Sequence, residues 1–193
     1  MDLTPTEWNT RYINTYTGWD LGFVSNTLKF FFDGLKDSSI QILIPGGGNG
    51  YEAEYLWNKG FHNVFLLDWA EQSLQNFAKR VPQFPASQLL EKDFFEHSGQ
   101  YDLIIEQTFF CAIDPALRPQ YAKQVFELLK PGGRLVGLLF DREFDLPGPP
   151  FGGSRNEYLE YFSPLFKIHK LESCYNSIPA RAGRELFINF IKS

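Results

Sequence analysis

Apolar positions along the chain alternate between short unbroken runs and stripes at helical spacing, and the alternation predicts the elements. Ile40-Gln41-Ile42-Leu43-Ile44 runs into Pro45-Gly46-Gly47-Gly48-Asn49-Gly50, which reads as a buried first strand and a tight turn. A helix follows to about Lys59, stopped by Gly60, and Val64-Phe65-Leu66-Leu67 forms a second strand ending at Asp68. The next helix, about Ala70 to Arg80, ends before Pro82, and Gln88 to Lys92 is a weaker strand. Tyr101 to Glu106 is a stronger one, continuing into Gln107-Thr108-Phe109-Phe110. Pro115 starts a helix to about Leu129, and Pro131-Gly132-Gly133 turns the chain into a strand from Arg134 to Phe140. Ser154-Arg155-Asn156-Glu157 is a capping box opening a helix to about Phe162. Phe166 to Leu171 and Glu185 to Ile191 read as the last two strands. Strands alternating with helices mean βαβ units and a parallel sheet, so the fold class is α/β.

Ahead of this core, Thr4-Pro5-Thr6-Glu7 is another capping box, predicting a helix to about Asn14 with Trp8 and Tyr12 on one face. The loop Thr17-Gly18-Trp19-Asp20-Leu21-Gly22 and a short helix capped by Ser25, running to about Phe32, come next. Two readings of residues 1–36 stand side by side: a lid over a site, and ordinary packing. The Pro- and Gly-rich stretch from Asp141 to Gly153 is long enough for a functional loop, and Cys174 to Gly183 is a candidate for a second.

Composition narrows the function classes. With 193 residues, 44% hydrophobic and 21% charged, the chain fits one domain, 1–193. A net charge of -5 gives no basic footprint for nucleic acid or an anionic membrane. The N-terminus lacks the basic and apolar regions of a secretory signal and no run is long enough to span a bilayer, so the cytoplasm is expected. Cys111 and Cys174 lie far apart and histidines are few, so neither a disulfide framework nor a metal site is implied.

Asp68 lies 22 positions after Gly46. That is near the roughly 20 expected between a glycine turn and a carboxylate that binds a ribose diol. The glycine spacing is one residue short of the dinucleotide fingerprint, and Glu52 and Glu54 occupy the first helical turn, where a pyrophosphate would otherwise sit. Carboxylates there repel phosphate and accept a cation. S-adenosylmethionine, with a sulfonium, an ammonium and no phosphate, suits this pattern. A glycine turn is also simply a tight connection, Asp68 a helix cap, Asp93 a turn residue and Arg118 a solvated first-turn side chain.

Several stretches together resemble the thiopurine S-methyltransferase family of class I S-adenosylmethionine-dependent methyltransferases, its plant halide/thiol branch above all. They are Trp8 with Thr17 to Gly22; Ile44-Pro45-Gly46-Gly47-Gly48-Asn49-Gly50; Phe109-Phe110-Cys111-Ala112-Ile113-Asp114-Pro115 with Leu117-Arg118-Pro119; Glu127 to Gly133; and Gly148-Pro149-Pro150-Phe151. The resemblance implies a Rossmann-like three-layer sandwich whose seven-stranded, mostly parallel sheet has an antiparallel last strand. By position it implies that Trp8 and Trp19 cover the cofactor, that Gly46 and Gly48 approach its methionine end, and that Asp68, beside Trp69, takes the ribose hydroxyls. Asp93 and Phe94 would meet adenine, Glu106 and Gln107 would lie beside the methyl donor, and Arg118 would be the active-site arginine. Gly47 stands where many members have Cys, and Gln107 where the plant branch has Tyr.

The implied reaction is direct in-line methyl transfer to a small soft nucleophile: a thiol, a thiopurine-like compound, bisulfide, thiocyanate, a halide or a selenium species. S-adenosylhomocysteine is the product. No metal, nucleic acid or membrane partner is expected, and a monomer is favoured. A non-catalytic S-adenosylmethionine-binding interaction protein and an NAD-dependent oxidoreductase are the alternatives. A nucleic-acid methyltransferase would carry Asp/Asn-Pro-Pro-Tyr/Phe after the fourth strand, where this chain has Glu106-Gln107-Thr108-Phe109.

Overall fold

The computed structural model describes residues 3–145 and 147–193. Thr4 and Ser25, both in extended conformation, cap α1 (Pro5–Ile13) and α2 (Asn26–Asp33) through their hydroxyls. The core then alternates: β1 (Ile42–Pro45), α3 (Tyr51–Asn58), β2 (Val64–Asp68), α4 (Glu71–Arg80), β3 (Leu89–Glu91), β4 (Tyr101–Gln107), α5 (Arg118–Leu128) and β5 (Leu129–Phe140). It closes with α6 (Arg155–Phe162), β6 (Phe166–Ser173) and β7 (Glu185–Lys192). The seven strands form one sheet in the order β3-β2-β1-β4-β5-β7-β6. β7 runs antiparallel to both β5 and β6, and the other strand pairs are parallel. This is the expected sheet with the last strand of the chain reversed.

Both faces of the sheet are covered, which is why its strands read as unbroken apolar runs. Ile42 and Ile44 of β1 pack with α2, α3 and α4 through Phe32, Leu56 and Phe77. Leu43, between them, faces the other cluster, with Tyr121, Val125 and Phe162. Phe162 is fully buried, its ring 5.0 Å from that of Phe190 on β7. Truncating it to Ala removes about 3–5 kcal/mol, enough to threaten a domain of this size.

Local departures from the sequence pattern have plain causes. The segment opened by Pro115 starts as a 3₁₀ turn, Pro115–Leu117, capped by the Asp114 carboxylate, before α5 begins at Arg118. β4 stops at Gln107 because Thr108 takes a left-handed φ of 60°. β5 begins at Leu129 rather than Arg134: Leu129 pairs with Tyr101, then the register slips until Arg134 meets Leu103.

Candidate active site

The C-terminal ends of β1, β2, β4 and β5 share one rim, and the strand order reverses between β1 and β4, where ligands bind in sheets of this kind. A cavity of about 620 Å³ opens there, a size suited to a nucleoside ligand plus a small second molecule.

Its floor is the glycine turn. Gly46 and Gly48 have φ of 56° and 53°, conformations glycine adopts without strain. A Cβ on Gly48 would strike the Tyr12 hydroxyl, and one on Gly46 would strike the Phe109 ring. Both glycines line the cavity, but it is these protein side chains that fill the space beside them. The Gly48 amide donates to Asp68 Oδ2 at 2.9 Å, and the Ala70 amide to Oδ1 at 2.9 Å. Asp68 therefore pins the turn and caps the next segment while keeping lone pairs on the cavity wall. Burial pushes its carboxyl up to about 6, against the pull of the amides of Ala70, Gly48 and Trp69.

Over this floor lies α1 with the loop that follows it. Trp8 and Tyr12 meet Trp19 edge-on at 5.3 and 5.8 Å. Asn9 Oδ1 accepts from the Gln72 amide at 2.8 Å, Asp20 accepts from the Asn49 side-chain amide, and Arg181 donates to the Trp19 carbonyl at 2.7 Å. Toward β3, Asp93, Phe94 and Trp69 join the wall. Asp93 also accepts from the Phe95 amide at 2.8 Å, so it is a turn residue and a lining residue at once.

Gln107, at the end of β4, lines the cavity, and its buried Oε1 has no hydrogen-bond partner among the described residues. Glu106 is a correction. Successive strand residues face opposite ways, so with Gln107 on the cavity Glu106 points into the protein. It accepts from the Phe109 and Phe110 amides at 2.8 and 2.9 Å and from the Tyr121 hydroxyl at 2.5 Å. Burial pushes its carboxyl up to about 7. It shapes the segment after β4 and does not line the cavity.

Arg118 is the second correction. It is neither on the cavity wall nor solvated. A buried guanidinium needs a counter-charge and acceptors, and these lie on the far side. Arg118 pairs with Glu157 of α6 at 2.7 Å, donates to the Gly152 carbonyl at 2.8 Å, and stacks over Phe110 at 4.9 Å. It is a strut between α5, α6 and the loop ending at Gly153.

Another part of the wall is aromatic and basic: Phe140 and Phe144 with Arg142, Arg181 and Arg184, while the Phe109 ring reaches Gly46. Arg181 belongs to the segment between β6 and β7, which the sequence marks as a candidate loop. Its guanidinium pairs with Glu185 at 3.5 Å and lies 5.7 Å from the centre of the Phe140 ring. Sequence reasoning missed Tyr12, Phe109 and Glu52 as lining residues. Glu52 was legible only as a first-turn carboxylate that repels phosphate and accepts a cation. Cys111 lines the cavity too, but burial and the nearby Glu106 charge push its thiol up to about 12. Among the described residues no cluster of three His, Cys, Asp or Glu side chains could hold a metal.

The residues fit a nucleoside that carries cations rather than phosphate: buried carboxylates in the first turn of α3 and at the end of β2, under aromatic covers. Sheet order, reversed last strand and site together define the fold of a class I S-adenosylmethionine-dependent methyltransferase. The fold matches 1,6-didemethyltoxoflavin-N1-methyltransferase of Burkholderia thailandensis, crystallised with S-adenosylhomocysteine, with a TM-score of 0.76 and 16% identity, over 99% of this chain and 88% of that one. A TehB-like S-adenosylmethionine-dependent methyltransferase of Corynebacterium glutamicum gives 0.68 and 17% identity, over 98% of each chain. The chain itself belongs to the thiopurine S-methyltransferase family, whose model matches residues 3–186. It is 32% identical to a probable thiol methyltransferase 2 of Arabidopsis thaliana, over 92% of this chain and 80% of the relative. To a thiopurine S-methyltransferase of Vibrio cholerae it is 27% identical, over 76% and 75%. It is an S-adenosylmethionine-dependent methyltransferase of small molecules.

Proposed function

We propose that the acceptor is a small thiol with an apolar body, taken as its thiolate, and that Arg181 is the group that draws it in. The observation that carries this is the aromatic wall, which holds a partly buried guanidinium. When bound, S-adenosylmethionine supplies an electrophilic methyl group. The chain's own part is alignment: Trp8 and Trp19 cover the cofactor, Asp68 takes the ribose hydroxyls, and Asp93 and Phe94 flank adenine. Of the groups on the wall, Cys111 stays protonated and burial pushes the Tyr12 phenol well above its ordinary value, while the carboxylates Glu52 and Asp68 are taken up at the cofactor end. A soft nucleophile that ionises on its own removes the need for a base: an ordinary thiol, pKa about 8.5, is already a few per cent thiolate at pH 7. Arg181 raises that fraction at the site.

Residues 1–36 act as a lid on a single domain. We read the protein as a cytoplasmic monomer, and its net charge of -5 speaks against nucleic-acid and anionic membrane partners.

The test is methyl transfer from labelled S-adenosylmethionine to an aromatic thiol, a thiopurine, bisulfide, thiocyanate, iodide, a selenium oxyanion and a catechol. Turnover should be greatest with the apolar thiols. Preference for thiocyanate or iodide would move the acceptor to the inorganic anions. Turnover of catechol alone would defeat the soft-nucleophile argument, and cofactor binding without any turnover would favour an interaction protein.

A further inference from the structure

We propose that Glu52, with Asp20 beside it, seats the ammonium group at the methionine end of the cofactor. The proposal rests on the reading that the cavity takes S-adenosylmethionine. Sheet order sets the direction of the ligand. Asp93 and Phe94 follow β3, Asp68 ends β2, and the glycine turn leaves β1, so three neighbouring strands present the adenine, ribose and amino-acid contacts in sequence. Beyond the glycine turn the wall continues through Asn49 to Glu52, in the first turn of α3, and Asp20, in the loop above it.

Glu52 is only 6% exposed, yet among the described residues it has no ion-pair partner. The amides of Glu52 itself and of Ser25, at the start of α2, favour its charged form without outweighing burial. The charged groups that face it are Asp20, which repels, and Arg181, which attracts. Arg181 also pairs with Glu185 and donates to the Trp19 carbonyl, so its charge is shared. Asp20 spends its oxygens on Asn49 and the Gly22 amide, neither of them a cation. On the same helix Glu54 turns away to Arg80 at 2.7 Å. Glu52 and Asp20 thus share one corner of the cavity with a single arginine whose charge Glu185 also draws on. Burying a carboxylate without a counter-charge is unfavourable, and a ligand ammonium is the cation this corner lacks. Burial pushes the Glu52 carboxyl up to about 7, so a cation arriving there would also complete its ionisation.

The experiment compares two ligands by calorimetry. S-adenosylhomocysteine carries the ammonium without the sulfonium; 5′-methylthioadenosine carries neither and keeps the nucleoside. Glu52→Gln should weaken S-adenosylhomocysteine by about tenfold or more and leave 5′-methylthioadenosine within about twofold. Glu54→Gln, on the same helix but outside the cavity, should leave both unchanged. Equal weakening of both ligands by Glu52→Gln, or no weakening of either, would overturn the assignment. Should the variant not fold, the wild-type protein carries the test through buffers of different ionisation enthalpy at pH 7. S-adenosylhomocysteine should release more protons on binding than 5′-methylthioadenosine, and equal release would overturn the proposal. Wild-type protein that binds 5′-methylthioadenosine but not S-adenosylhomocysteine would overturn it too, whereas binding of neither would sink the cofactor reading beneath it.

Discussion

The two ends of the cavity are held by different kinds of bond. At the cofactor end two carboxylates lean on backbone amides: Asp68 on Gly48 and Ala70, Asp93 on Phe95. At the acceptor end arginines brace segments far apart in sequence, Arg118 joining α5 to Gly152 and Glu157, Arg181 joining the turn before β7 to Trp19. Backbone partners exist whatever the neighbouring side chains are, so the first end is built from short local motifs. Side-chain braces can be exchanged one pair at a time, which leaves the second end free to change its acceptor.

The sharpest way to break this contrast is Arg118→Ala. It strands the half-buried Glu157 carboxylate and the Gly152 carbonyl, and removing one partner of a buried ion pair costs about 3–5 kcal/mol. Thermal or denaturant unfolding should show that loss, and calorimetry should find the S-adenosylhomocysteine Kd within about twofold of wild type. Arg118→Lys should not restore stability, because an ammonium cannot serve both Glu157 and Gly152 in the planar geometry of a guanidinium. A large loss of cofactor affinity with stability intact would return Arg118 to the site.

Asp68→Asn tests the opposite end. Its amide group presents donors to the amides of Gly48 or Ala70 and removes the charge facing a ribose, so S-adenosylhomocysteine binding should weaken by about 2 kcal/mol, roughly thirtyfold. Unchanged binding would leave Asp68 as a turn clamp alone. Arg181→Gln comes next: the acceptor KM should rise by about tenfold for a thiol, with a smaller change in cofactor Kd. Equal changes in the two would assign Arg181 to holding Trp19 over the cofactor rather than to the acceptor.

How far these residues are legible in the sequence follows the same division. The caps at Thr4, Ser25 and Ser154 are local patterns, and each forms as its spacing requires. Glu157 illustrates the limit. Its amide completes the cap on Ser154, but its carboxylate, free to reach back in a full capping box, goes to Arg118 instead. Nothing near position 118 announces that partner, 39 residues away, so Arg118 read as an active-site or solvated side chain. Glu106 was readable in principle: strand alternation allows only one of Glu106 and Gln107 to face the cavity. Which of them does so depends on where β4 meets the rim, a matter of sheet register rather than pattern.

The smallest expected effect uses that same strand. Glu106 and Glu52, pushed by burial up to about 7, and Asp68, up to about 6, all hold protons in the folded state that the unfolded chain has already released. Their contribution is therefore fully present below the ordinary carboxylate pKa of about 4 and is lost as pH rises through 6 to 7. Asp33, Asp37 and Asp102 are held below the carboxylate range by their hydrogen-bond partners, so their contribution is lost instead as pH falls below 4. Asp33 and Asp37 are exposed and solvent screens them, which leaves the buried trio to set the slope. Unfolding free energy should then decline from pH 5 to pH 8. Glu106→Gln removes one titrating group but keeps an oxygen for the Phe109 and Phe110 amides, so it should flatten that decline by about 1 kcal/mol across the interval. A decline of undiminished steepness in the variant would mean that Glu106 is already ionised at pH 5, its charge carried by the two amides and the Tyr121 hydroxyl.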